Sequence, residues 1–158
     1  MQVESKSCAF LVKVLSEAFK RVGDAAMRAD DITHSQMGVL ACIQRCGDDA
    51  CSFKDIQHFM HVSQPTTVGL IQRLEGKGFI ETFACSTDQR VKLARLTEDG
   101  QAVLETAQVH FEKTVSEMER GFTEDELETF KGYLVRMIEN LGGSVDADKL
   151  PSCKHTGG

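Results

Sequence analysis

The chain has 158 residues, of which 41% are hydrophobic and 27% are charged, a balance typical of one globular domain. No apolar run approaches the roughly 20 residues that a membrane-spanning helix needs, and the first residues lack the features of a secretory signal. The sequence therefore predicts a cytoplasmic protein with no membrane partner. Six cysteines occur without a CxxC pair, and in a cytoplasmic protein they are expected to be reduced.

The charge is unevenly distributed along the chain. The net charge is −6, yet the segment from Ser52 to Thr97 holds six basic and four acidic residues, so the remainder carries −8. Chance could produce this unevenness. A basic centre between acidic flanks is, however, typical of a nucleic-acid reader with separate assembly helices.

Two helices are predicted in the N-terminal third. Apolar residues recur at helical spacing from Cys8 to about Met27. After a break, Thr33 or Ser35 can cap a second helix that runs to about Cys46. The first helix has an apolar stripe so wide that another element must cover it.

The centre of the chain predicts two short helices and a hairpin. Ser52 can cap a helix over residues 53–60, and Ser63 can cap another that carries Pro65 in its first turn and ends near Lys77. Residues 79–85 and 90–96 are predicted to be strands joined by a turn at 86–89. Two helices joined by a tight turn and followed by a hairpin form a winged helix-turn-helix.

The last third predicts a long helix from Thr97 to about Arg120 and a final helix ending near Gly142. A capping box, Thr123 to Glu126, starts the final helix. The predicted fold class is mostly α (α+β), a winged helix-turn-helix with N- and C-terminal dimerisation helices. We expect one domain over residues 1–143, with a DNA-binding lobe at 32–97, dimerisation helices at 8–28 and 98–142, and a flexible tail at 144–158.

Polar and small residues on the fourth helix and in the hairpin are the predicted DNA contacts. The helix can enter a major groove closely because Gly69 has no side chain, while Arg90 just after the turn can enter a minor groove. Asp88 can brace Arg90 by a charge-assisted hydrogen bond. The complete set of predicted contacts is Ser63, Gln64, Thr66, Thr67, Gly69, Gln72, Arg73, Asp88, Arg90 and Lys92.

These motifs resemble the MarR (multiple antibiotic resistance regulator) family. The resemblance rests on Asp88-x-Arg90, on Leu96-Thr97-x-x-Gly100, on the run Arg73 to Glu81 and on the start of the second helix, Ile32 to Leu40. It covers roughly residues 10–141 and implies a homodimer that represses transcription from a pseudo-palindromic operator in double-stranded DNA. It also implies release by a small aromatic or anionic effector, or by oxidation.

The resemblance suggests two places where such control could act. Residues that could line an effector cleft between the dimerisation helices and the DNA-binding lobe are Val14, Phe19, His34, Met37 and Phe111. Each of them could equally be a plain core residue. The run Cys8-Ala9-Phe10-Leu11-Val12, at the start of the first helix, resembles the peroxide-sensing members around their reactive cysteine. A helix N-terminus also favours the thiolate that oxidants attack. That branch also uses tyrosines, and this chain has one, Tyr133.

Other functions have weaker support in the sequence. Cys42, Cys46 and Cys51 could converge on a soft metal, but they could equally be small core residues, so no metal or cofactor is predicted. No phosphate loop, His-Glu-x-x-His or nucleophile elbow occurs, so the chain is not expected to be an enzyme. A winged-helix module that binds another protein remains the alternative to a DNA reader.

Overall fold

The computed structural model describes residues 7–47 and 50–145, and over these ranges the chain forms six α-helices and a three-stranded sheet. The helices are α1 Cys8–Ala26, α2 His34–Arg45, α3 Phe53–Met60, α4 Gln64–Gly76, α5 Glu98–Glu119 and α6 Glu124–Asn140. The strands are β1 Cys51–Ser52, β2 Ile80–Ala84 and β3 Lys92–Leu96. This architecture confirms the mainly helical winged-helix fold. Most of the predicted tail, and Cys153 with it, lies outside the described residues.

Each of these helices begins at a serine or threonine whose side chain accepts a hydrogen bond from the first turn. The N-caps are Ser7, Thr33, Ser52, Ser63, Thr97 and Thr123. Such a cap satisfies a backbone N–H that has no partner within the helix. Thr33, not Ser35, caps α2, and the predicted capping box at Thr123 is present. Local hydrogen bonding thus explains why the helix starts are readable from the sequence.

The sheet has the strand order β1-β3-β2, and both pairings are antiparallel. The wing, which we define as residues 80–96, is the hairpin of β2 and β3, with Ile80 opposite Leu96 and Ala84 opposite Lys92. β1 places Cys51 opposite Ala94 and was not predicted, because two residues are too few to show alternation. The wing is therefore joined through β1 to the start of α3.

The hydrophobic core lies inside the lobe formed by α2, α3, α4, the wing and the first half of α5. Its fully buried side chains include Leu40, Ile56, Leu74 and Leu104. None of the helices in the described ranges is long and apolar enough to cross a bilayer.

A tight contact joins the end of α4 to the start of α5. The Thr97 hydroxyl donates to the Gly78 carbonyl at 2.6 Å and accepts from the Gly100 amide at 3.0 Å. The Thr97 amide donates to the Phe79 carbonyl at 3.1 Å. A Cβ on Gly100 would lie 1.8 Å from that carbonyl oxygen, so only glycine fits here. The Leu96-Thr97-x-x-Gly100 motif therefore connects the wing to the long helix.

The apolar faces of α1 and α6 are not covered within one chain. Gly23 is the buried residue of α1, and α6 has none. The large apolar side chains that remain exposed on these two helices and at the end of α6 are Phe10, Leu11, Val12, Val14, Leu15, Val22, Phe130, Tyr133, Met137, Ile138 and Leu141. Water-exposed apolar surface of this extent is typical of an interaction face.

Candidate nucleic-acid interface

The turn between α3 and α4 exposes the start of α4. His61 has a left-handed backbone conformation, with a φ of 50°, which ends α3 and turns the chain sharply. Ser63 then caps α4, and its hydroxyl contacts the Thr66 hydroxyl at 2.8 Å. The first turn of α4 thus presents hydroxyl groups and backbone amides to solvent, which is an arrangement suited to a phosphate.

The reading face of α4, defined as Gln64, Thr66, Gly69, Gln72 and Arg73, is open to solvent. All of its side-chain-bearing residues are exposed, and a Cβ built on Gly69 would meet no heavy atom within 4 Å. These are hydrogen-bonding groups around a point where the backbone itself can approach a ligand closely. These five residues therefore lie on the side of α4 that faces away from the core, and their contacts with DNA stay a prediction.

Thr67 does not belong to the reading face, and its prediction as a base contact was wrong. Its side chain is 1% exposed, and its hydroxyl donates to the Ser63 carbonyl at 3.1 Å. Thr67 lies on the same side of α4 as Leu70, Ile71 and Leu74, which pack into the core. Its hydroxyl is satisfied by the preceding turn of the helix instead of by a ligand.

The tip of the wing presents two cations. The Asp88 carboxylate accepts a hydrogen bond from the Arg90 amide at 3.0 Å, so the predicted brace exists and its donor is the backbone. The side chains of Arg90 and Lys92 are exposed. Because the Asp88 carboxylate bonds to the backbone amide of Arg90 and not to its guanidinium group, the Arg90 side chain remains available to another anion.

An open groove of about 820 Å³ separates α4 from the wing. Its polar lining includes Lys54 and Gln57 from α3, Gln64 from α4, and Arg90 and Lys92 from the wing. Lys54 and Gln57 were not predicted as site residues. Lys54 belongs to the basic segment from Ser52 to Thr97, but only the packing of α3 beside the wing shows that its side chain lines this groove.

The cations on this surface differ in their pairing. Arg95 forms an ion pair with Glu81, and Lys77 pairs with Asp31. Within the described ranges, no acidic group lies within 4.0 Å of the cations that surround the groove and the reading face, which are Lys54, Arg73, Arg90 and Lys92. The surface therefore carries uncompensated positive charge in a chain whose net charge is −6.

Three of the predicted effector residues form a ring cluster, defined as Phe19, His34 and Phe111. The Phe19 ring meets the His34 and Phe111 rings edge-on, with centroids 5.3 and 5.8 Å away, and His34 stacks on Phe111 at 5.7 Å. These distances are those of rings in direct contact. Met37 is buried in the main core, whereas Val14 is 44% exposed on α1 and does not join them.

His34 carries an unusual imidazole. Its Nδ1 atom is buried without a hydrogen-bond partner, and burial lowers its pKa from the ordinary value of 6.5. Nearby Asp24 opposes this shift, because its negative charge favours the protonated ring, and Lys20 reinforces it. The net result is a ring that favours its neutral form, with a buried Nδ1 atom that has no hydrogen-bond partner.

Cys8, the predicted redox residue, is exposed in the first turn of α1. It lines an apolar cavity of about 400 Å³ between α1 and α6, together with Leu11, Leu15, Tyr133 and Met137. The structure therefore brings Cys8 and Tyr133 to one cavity.

The fold and the exposed helix face define a winged-helix protein. The sequence model of the MarR family matches residues 32–92, the segment from the start of α2 to the returning strand of the wing. Over these residues the chain is similar to the MarR family.

Solved structures of other proteins share the fold over most of the chain. MepR from S. aureus in complex with DNA is 24% identical with a TM-score of 0.81, over 86% of this chain and 99% of that one. A mutant of MarR from E. coli, complexed with operator DNA, is 23% identical with a TM-score of 0.75, over 82% and 92%. CouR from Rhodococcus jostii RHA1, bound to p-coumaroyl-CoA, is 18% identical with a TM-score of 0.74, over 87% and 95%.

Proposed function

We propose that this protein is a DNA-binding transcriptional regulator that acts as a homodimeric repressor at a pseudo-palindromic operator. The proposal rests on two features that line one open groove. One is the exposed reading face of α4, and the other is the pair of wing cations, Arg90 and Lys92, which have no acidic partner among the described residues. The DNA complexes of MepR and MarR, which share this fold, support it.

Each part of the surface suits a different part of a DNA duplex. In this proposal α4 enters the major groove, where Gln64, Thr66 and Gln72 hydrogen-bond base edges and Arg73 reaches a guanine or a phosphate. Arg90 at the wing tip enters the adjacent minor groove, where the negative potential is strongest. Ser63, Lys54 and Lys92 lie where they can contact backbone phosphates.

The apolar faces of α1 and α6 support the dimer. We propose that residues 1–143 form one domain, in which helices 8–28 and 98–142 pair two chains and the lobe 32–97 reads DNA. An operator with two half-sites then meets two copies of α4 in major grooves about 34 Å apart. Leu141 is 90% exposed and Tyr133 50% exposed in one chain, which a second copy would cover.

A small aromatic or anionic effector is proposed to release the operator. The ring cluster lies between α1, α2 and α5, and its rings already contact one another, so an effector that enters must separate them. Moving these helices changes the distance between the two copies of α4. A preference of roughly 2–3 kcal/mol for the mismatched state lowers operator occupancy by tens of times. The complex of CouR with p-coumaroyl-CoA supports an effector of this kind.

The proposal is tested by selecting bound duplexes from a random pool and then measuring salt-dependent binding. Arg90→Ala should weaken binding to all duplexes by a similar factor and reduce the salt slope by about one unit for each phosphate that the variant no longer neutralises. Lys113→Ala, which removes the same charge from an exposed position on α5, is the matched control and should change neither quantity. Unchanged affinity and slope in Arg90→Ala would exclude the wing from DNA binding.

A further inference from the structure

Three cysteines meet where α2 ends and β1 begins. The thiol cluster, defined as Cys42, Cys46 and Cys51, has Cys42 Sγ and Cys51 Sγ 3.9 Å apart, and Cys51 shares thiol hydrogen bonds with both other members. Cys42 and Cys51 are fully buried in the main core, while Cys46, at the C-terminal cap of α2, is partly exposed. Because the three thiols are adjacent and one of them is accessible, they have a possible chemical role in addition to filling space in the core.

The cluster suits thiol oxidation better than metal binding. Among the described residues, no three imidazole, thiol or carboxylate groups are arranged to hold a metal ion. The thiol hydrogen bonds to Cys42 and Cys46, followed by burial, raise the pKa of Cys51, so this thiol stays protonated and is a poor first target for an oxidant. Cys46 is the member that a small molecule in solution can reach.

We propose that Cys46 and Cys51 form a reversible disulfide when the protein meets a hydroperoxide. The hydroperoxide oxidises the Cys46 thiol to a sulfenic acid and is itself reduced to an alcohol. The Cys51 sulfur then attacks the Cys46 sulfur, and the hydroxyl group leaves with the Cys51 proton as water. Two thiols and one hydroperoxide thus give one disulfide, one alcohol and one water.

The position of Cys51 links this bond to the DNA-binding surface. Cys51 pairs with Ala94 in the sheet, so its displacement strains the attachment of the wing. The next residue, Ser52, caps α3 by accepting from the Asp55 amide at 3.1 Å and donating to its carboxylate at 2.7 Å. A disulfide needs sulfur atoms about 2.05 Å apart, which is closer than two free thiols in hydrogen-bond contact, so bond formation draws Cys46 and Cys51 together. Oxidation should therefore disturb α3 and the wing together.

Tryptic digestion can identify the bond. Cleavage after Arg45 and Lys54 places Cys46 and Cys51 in one peptide, whereas Cys42 lies in the preceding peptide, 29–45. The full-length protein is treated with tert-butyl hydroperoxide, alkylated in denaturant and digested. The expected product is peptide 46–54 lighter by two hydrogens and without alkylation. Two results would overturn the proposed pair. One is a disulfide that links peptide 29–45 to peptide 46–54, and the other is a fully alkylated peptide 46–54 in a sample whose Cys8 is oxidised.

Variants provide the controls for this experiment. Cys51→Ala should abolish the disulfide-containing form of peptide 46–54. Cys46→Ser should abolish it too, and because Cys46 is partly exposed this variant removes no core side chain. Cys85→Ala removes another buried thiol, outside the cluster, and should leave the disulfide yield unchanged. Equal disulfide yield in Cys46→Ser would refute the assignment.

The effect on DNA rests on the proposed function, so operator affinity of the reduced protein is measured first. Oxidation should then weaken operator binding roughly tenfold, and the change should be absent in Cys46→Ser and reversed by a thiol reductant. If the disulfide forms and affinity is unchanged, the coupling is wrong. If the reduced protein binds no duplex, the proposed function fails, while the peptide result still decides the disulfide.

Discussion

Replacing Gly100 by alanine should destabilise the fold by an amount that can be worked from the Phe79 contact. The new Cβ would lie 1.8 Å from the Phe79 carbonyl oxygen and 2.8 Å from its carbon, whereas ordinary contact begins near 3.4 Å. The atom that must move is backbone, so it cannot turn away as a side chain would.

Two costs add for this substitution. Overpacking of a tight site typically costs about 1–3 kcal/mol. Displacing the Phe79 carbonyl also breaks its hydrogen bond with the Thr97 amide, which contributes roughly 1 kcal/mol. A total of about 2–4 kcal/mol is a large part of the roughly 5–15 kcal/mol that stabilises a typical domain. The melting temperature should fall on the order of 10 °C.

Urea unfolding followed by far-ultraviolet circular dichroism measures this change. Wild type and variants are compared at one fixed protein concentration, because dimer formation contributes to apparent stability. Gly69→Ala is the matched control, since no heavy atom lies within 4 Å of its new Cβ. It should raise the unfolding free energy by about 0.5–1 kcal/mol through helix propensity. A Gly100→Ala protein within about 1 kcal/mol of wild type would refute the packing argument.

Three further predictions concern assembly, pH and base reading. Sedimentation at sub-micromolar concentration should show a dimer, and Phe130→Asp, which charges the exposed face of α6, should shift it to monomer; an unchanged dimer would contradict this use of the face. Because burial lowers the His34 pKa, its neutral form stabilises the fold above pH 6.5 and this contribution is lost as the pH falls below that value. The unfolding free energy should therefore drop less between about pH 7.5 and 5.5 in His34→Gln than in wild type, and equal drops would argue against it. Thr66→Ala and Arg73→Ala should each change the ranking of selected duplexes, whereas a uniform loss of affinity would assign these side chains to phosphates.

Most element boundaries could be predicted because their causes are local in the chain. Ser52, Ser63 and Thr123 cap helices through hydrogen bonds to residues three positions later, and such patterns are visible in the sequence. The wing could also be predicted, since its turn and its two strands are contiguous. The reading face followed from helical periodicity.

Thr67 is the one predicted contact that is buried, and helical spacing itself indicates this. Thr67 stands three, four and seven residues before Leu70, Ile71 and Leu74, so the spacing already places it on their side of α4. Its prediction as a DNA contact depended on its hydroxyl group alone. That hydroxyl bonds to the preceding turn of the helix, so it is satisfied inside the core.

Contacts between distant parts of the chain were decided only by the tertiary structure. β1 consists of two residues and exists because Cys51 pairs with Ala94, more than forty positions away. The ring cluster joins three helices, and the thiol cluster depends on α2 packing against β1. The sequence by itself determined which segments are helices, which form the wing and where each helix begins, because those choices depend on neighbours within a few residues. Which side chains meet depended on burying the apolar surface of all segments together, which no local pattern encodes.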